Sequence, residues 1–190
     1  MDLTPSLVRS KAEAYRESQP LAAVEQDHVE MLPEMLASGD FGWRDVEWVV
    51  QWYFRRDLGA YPDEARLAAE EAFEANTYEA VEEALGAVAA AEDLSMRLDR
   101  LTALAGVDTR IASAFLLFMF PTRYVVVGER EWGVLHEAGE LADPYPAPPM
   151  REDYLTYDAV CRDLTERCDV DAWTLYRALW QLGRERADAG

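Results

Sequence analysis

The sequence predicts an all-α protein. Apolar side chains recur three and four residues apart along almost every segment, which is the spacing of one helical face. Clusters of Gly, Pro, Asn and Asp punctuate those segments, and only Tyr124 to Val127 reads as an extended run. Half the residues are apolar and 11% are aromatic, so the 190-residue chain can bury a proper core.

Thr4 and Pro5 suit an N-cap and a first helical position, opening a helix to about Ser18. The next begins near Leu21 and meets Pro33, which is expected to kink or end it. His28, beside Asp27, reads as a surface residue rather than a ligand. After the break at Gly39–Gly42, Trp43 to Leu58 forms the most aromatic helix, closed by Gly59. Val46, Val49, Val50, Tyr53 and Phe54 make its apolar stripe, and Arg55 and Arg56 fall where cations offset the helix dipole. Trp48, Trp52 and Tyr53 admit two readings. They are core packing, which helical spacing favours, or an aromatic wall for an unstacked base.

Asp63 to Ala75 is the next helix, and Asn76 with Glu79 makes a capping-box-like start for Thr77 to Ala91. Glu70, Glu71, Glu74, Glu79, Glu82 and Glu83 carry no histidine among them, so a solvated face is expected rather than a di-metal carboxylate site. Asp93 or Ser95 leads into the following helix. Beyond Leu135, Gly139 and Pro144, Pro146, Pro148 and Pro149 mark a Pro-rich loop at about 139–150. Two helices close the chain, about Arg151 to Cys168 and one capped by Asp171. The loop reads as a connection inside one domain spanning 1–190, with room for two small lobes.

The remaining stretch, Arg97 to Leu135, holds the chain's motif. A helix leads to a tight turn at Leu104–Asp108, pivoting on Gly106, and a very apolar helix follows, from Thr109 as cap to about Phe120. Pro121 stops it, and after the extended run a new helix opens near Glu129. Such a helix-hairpin-helix can hold an anion on the backbone N–H groups of its turn and second helix.

Leu104, Gly106, Val107 and Ala112, with Pro121, Tyr124 and Val127, resemble the signature of the helix-hairpin-helix DNA glycosylase superfamily. The resemblance implies a helical glycosylase-like fold, DNA as partner, and Gly106, Val107, Asp108 and Arg110 as the nucleic-acid-binding residues. This sequence departs from the pattern where the chemistry lies. Ala105 replaces a proline and Asp108 a glycine, Arg110 stands where some members carry a nucleophilic lysine, and Gly128 falls where the catalytic aspartate should be. Arginine stays protonated and cannot form a Schiff base. Glu129 and Glu131 are the neighbouring carboxylates that could replace the aspartate, although both also suit a helix N-terminus electrostatically. Asp108 places a negative charge beside the expected phosphate, and a monovalent cation could bridge the two.

The net charge is −19, from 18 basic and 37 acidic residues, and Lys11 is the only lysine. That composition resembles proteins of salt-accumulating organisms, where screening acts over only about 3 Å and net charge says little about partners. The alternative is a surface built for a basic partner, or one that mimics DNA. Cys161 and Cys168 lie seven residues apart on one helix and cannot pair, and without a Cys-x-x-Cys a four-cysteine iron–sulfur cluster is excluded. No signal peptide or membrane span is evident, so the cytoplasm is expected. No cofactor or metal is called for by any other motif. The expected function is that of a degenerate, non-catalytic glycosylase-like protein that binds DNA or a nucleotide. An acidic interaction module, or an active glycosylase using Glu129, are the alternatives.

Overall fold

The computed structural model describes residues 1–59 and 61–189, and among them every regular element is an α-helix. In chain order these are α1 Pro5–Ser18, α2 Ala22–Ser38, α3 Trp43–Arg55, α4 Asp63–Glu74 and α5 Tyr78–Ala90. They continue as α6 Leu94–Thr102, α7 Thr109–Met119, α8 Glu129–Glu137, α9 Arg151–Cys168 and α10 Ala172–Ala189. No helix among them is long and apolar enough to cross a membrane.

The helix α7 explains the layout. Every residue from Ile111 to Met119 is buried, so this helix needs partners on all sides, and α2, α3 and α6 supply them. Helices α4 and α5 pack outside that group. The second group is built on α10, with α1, α8 and α9 around it, so the first and last helices of the chain lie side by side.

Local chemistry corrects four expected details. Pro33 does not end α2, which continues to Ser38 because Val29, Leu32 and Leu36 are buried on either side of it. Helix α3 stops at Arg55, three residues early, because the turn after it takes Leu58 and Gly59 to positive φ. Thr77 caps α5 by accepting from the Ala80 amide at 3.2 Å, which frees Asn76 for the hairpin. Asp108, not Thr109, caps α7.

The stretch Tyr124–Val127 is extended but pairs with no strand, and all four residues are buried. Its polar backbone must therefore be satisfied by side chains. The hydroxyls of Tyr154, Tyr157 and Tyr53 donate to the carbonyls of Val125, Val126 and Val127 at 3.1, 3.0 and 3.1 Å. The Val127 amide donates to Ser113 Oγ at 3.0 Å. Three tyrosines from α3 and α9 thus fix the path into α8.

Glu25 is a further buried polar device. It is fully buried on α2 and accepts from Tyr15 Oη at 2.5 Å and Trp52 Nε1 at 2.7 Å. Burial nonetheless pushes its carboxyl above the ordinary carboxylate value, outweighing those two donors. A carboxyl raised in the folded state contributes stability fully below its unfolded pKa and loses it as pH rises through the folded one. The Tm of Glu25→Gln relative to the unsubstituted protein is therefore expected to climb as pH rises from the ordinary carboxylate range toward neutrality. A gap between the two melting curves that stays constant with pH would exclude a raised Glu25.

Candidate functional site

The hairpin forms as expected, with Gly106 at φ 75°. Its turn rests on α4 so closely that a β-carbon there would lie 2.7 Å from the Phe73 amide nitrogen and 2.8 Å from the Ala69 carbonyl oxygen. Only glycine fits, for reasons of space as well as dihedral angle. Asn76 clasps the turn at both polar atoms of one residue: Ala105 N donates to Oδ1 at 2.9 Å and Nδ2 donates to Ala105 O at 3.0 Å. The sequence reading assigned Asn76 to a helix cap. Its position just after α4, where the turn docks, decides its actual use.

The first amides of α7 are met by a carboxylate of the chain itself. Asp108 Oδ1 accepts from the Arg110 and Ile111 amides at 2.9 and 3.0 Å, and Oδ2 accepts from Arg110 Nε and Nη2 at 2.8 and 2.6 Å. Burial alone would lower the Arg110 guanidinium, but Asp108 more than restores it. Asp108 and Arg110 thus meet each other, while Val107 is buried beneath them. The Gly106, Asp108 and Thr109 amides make no hydrogen bond among the described residues.

The space beside Gly128 is filled from elsewhere in the chain. A β-carbon on Gly128 would lie 2.6 Å from Glu131 Oε2 and closer still to the Arg56 guanidinium. Arg56 is fully buried and grips Glu131, also fully buried, through Nη1 at 2.6 Å and Nη2 at 3.2 Å. Asp57 lies 3.8 Å from Arg56 and 3.0 Å from Arg130. Burial would lower the Arg56 guanidinium, but Asp57 and then Glu131 outweigh it and keep it charged. Arg56 also sits over the rings of Tyr53, Trp52 and Tyr176 at 5.0, 5.8 and 5.8 Å. Its carbonyl accepts from Gln19 Nε2 and Trp180 Nε1 at 2.9 and 3.0 Å, tying α3 to the second helix group.

The sequence missed this cluster by reading Arg56 only as a cation that offsets the dipole at a helix end. The signal was available, since Arg56 follows Val49, Trp52 and Tyr53 on the buried stripe at helical spacing.

Of the two readings of the aromatic stripe, Trp52 and Tyr53 take the core one. Trp52 and Tyr53 are 1% and 0% exposed, so neither borders an open pocket, because Phe118, Tyr176 and Arg56 pack around them. Trp48 is half-buried and stacks on His28, 3.7 Å between ring centroids, which moves His28 off the plain surface expected for it. Glu131 is likewise closed off by Arg56. Glu129 is exposed and lines a cavity of about 410 Å³ with Asp57, Tyr61, Arg130, Gly183 and Arg186. That cavity opens where the α3–α4 turn meets α8 and α10, so Glu129 faces Tyr61 and Asp57 rather than Trp48 and Trp52. Of the acidic residues expected on a solvated face, Glu70 is half-buried against Arg66 and the other five are exposed. Cys161 and Cys168 are free and buried. Among the described residues no three His, Cys, Asp or Glu side chains gather as a metal site.

An all-helical chain with this hairpin, followed by an extended step into a new helix, has the fold of the helix-hairpin-helix DNA glycosylases. A solved structure that it resembles is that of Methanocaldococcus jannaschii 8-oxoguanine glycosylase/lyase in complex with 15mer DNA containing 8-oxoguanine. The likeness has a TM-score of 0.50 at 16% identity and covers 91% of this chain and 95% of that one. No protein-family model matches the sequence, and no curated protein matches it.

Proposed function

We propose that this chain is a glycosylase-fold protein that does not excise bases and whose hairpin keeps its own carboxylate in the phosphate position. One observation carries the reading: the space beside Gly128, where the resemblance puts a catalytic aspartate, is occupied by the Arg56–Glu131 pair. Stabilising an oxocarbenium-like centre needs a carboxylate aimed at the sugar. Glu131 is turned into the core and already neutralised by Arg56, so it offers none.

DNA, or a nucleotide, remains the ligand that the hairpin's chemistry suits, through Gly106, Val107, Asp108 and Arg110. Asp108 sets the strength of that contact, because a phosphate has to displace it or share a monovalent cation with it. Duplexes carrying uracil, 8-oxoguanine or an alkylated base are expected to release no base at any salt level. Abasic duplex is expected to bind weakly, and Asp108→Gly to tighten it about tenfold by removing one negative charge from the phosphate site. Base release by the unsubstituted protein would overturn the non-catalytic reading. Equal affinity with and without Asp108 would overturn the self-filled hairpin. No affinity in molar KCl for either form would favour an acidic interaction module, with co-purification as the next step.

A second reading has one observation in its favour: Glu129 is an exposed carboxylate at the first turn of α8 and borders the cavity beside Tyr61. If Glu129 is a catalytic carboxylate, any base release detected is expected to vanish in Glu129→Gln.

A further inference from the structure

Arg177 is an unusual residue in so acidic a protein. It is 7% exposed on α10, and among the described residues no carboxylate oxygen lies within 4.0 Å of it. Its Nη2 donates to Thr174 Oγ1 at 3.1 Å, and its Nε is buried with no partner. Burial and the nearby Arg16 both push its guanidinium below the ordinary value, while Asp171 and Glu25 temper this only from a distance. A buried charge left in this state costs stability unless something pairs with it.

Arg177 borders a cavity of about 430 Å³ together with Tyr15, Arg16, Ala23, Gln26 and Trp173. That volume suits a small organic ligand. The start of α2 faces the same space. Its N-cap position, Leu21, has no side chain that can cap, and the Ala23 and Val24 amides make no hydrogen bond among the described residues. The acid in that first turn, Glu25, points inward to Tyr15 and Trp52. An uncapped helix N-terminus and an unpaired buried arginine therefore converge on one cavity, and both attract negative charge. The other walls are apolar or aromatic: Ala22 and Ala23 on one side, and the Trp173 ring, 5.5 Å from the Arg177 guanidinium carbon, on the other.

We infer that this cavity between α1, α2 and α10 binds a small organic anion, a carboxylate or phosphate carried on a flat apolar body. The anionic group meets Arg177, Arg16 and the free Ala23 and Val24 amides of α2, and the body lies along Trp173 and the alanines. None of the residues lining it borders the Glu129 cavity, so the site stands independently of the hairpin reading.

The test titrates the full chain with benzoate, phenyl phosphate, inorganic phosphate and neutral benzamide, reading tryptophan fluorescence and Tm. Benzoate or phenyl phosphate is expected to bind saturably and, at about one hundred times its Kd, to raise Tm by roughly 5–10 °C. Arg177→Met is expected to weaken that binding at least tenfold (~1.4 kcal/mol) without lowering the ligand-free Tm. Ala23→Asp, a surface change that puts a carboxylate at the uncapped turn, is expected to lose binding as well and keeps the test open if Arg177→Met does not fold. Three results would each overturn the inference: benzamide binding as tightly as benzoate, a response to inorganic phosphate alone, or equal binding by the parent and both variants.

Discussion

Replacing Arg56 with methionine is expected to cost about 3–5 kcal/mol, because it leaves Glu131 a buried carboxylate without its partner and Asp57 with Arg130 alone. In a chain of this size that lowers Tm by roughly 6–20 °C. The loss comes from stranding charge rather than from losing volume, since methionine keeps most of the contact with Tyr53, Trp52 and Tyr176. Removing both members of the pair separates the two causes. Arg56→Met combined with Glu131→Leu is expected to recover most of the loss, because buried ion pairs exchanged for apolar residues are often neutral or stabilising. Denaturant melts of the two single variants and the double one give the coupling directly. A single variant within about 1 kcal/mol of the parent would mean that water already reaches the cluster.

That cluster also marks where the sequence stopped being legible. The helices were readable because their periodicity, caps and breakers agree: Thr4 does accept from Leu7 N, Asp93 caps α6, and Gly106 takes the positive φ its turn demanded. Partnerships distant in sequence were not readable. Nothing local to Arg56 announces that a glutamate seventy-five positions away will meet it, and nothing local to Asn76 announces Ala105. Trp48, Trp52 and Tyr53 left two readings open, since helical spacing gives the same pattern for a core stripe as for a pocket wall, and Trp52 and Tyr53 take the core one. The departures from the glycosylase signature were the most informative residues. Gly128 lies against the Arg56–Glu131 pair, and Asp108 meets the first amides of α7 with its own carboxylate.

Placing an aspartate at position 128 tests the packing around Arg56 most severely. Gly128→Asp is expected to destabilise the protein by about 4 kcal/mol or more. The backbone does not resist, because φ −157° and ψ 167° suit any residue. The cost lies in the side chain, which must enter space held by Arg56 and Glu131 and adds a carboxylate beside Glu131 and Asp57. If crowding of one cation by too many acids is the cause, removing a competitor should relieve it. Gly128→Asp with Glu131→Ala is expected to be more stable than Gly128→Asp alone by about 2 kcal/mol, with the new carboxylate taking the vacated Arg56 fork. Neither variant is expected to release 8-oxoguanine from duplex DNA, because a carboxylate paired to a fully buried arginine faces the core instead of a sugar. Base release by the stable double variant would show that Arg56 leaves its partner free to turn outward.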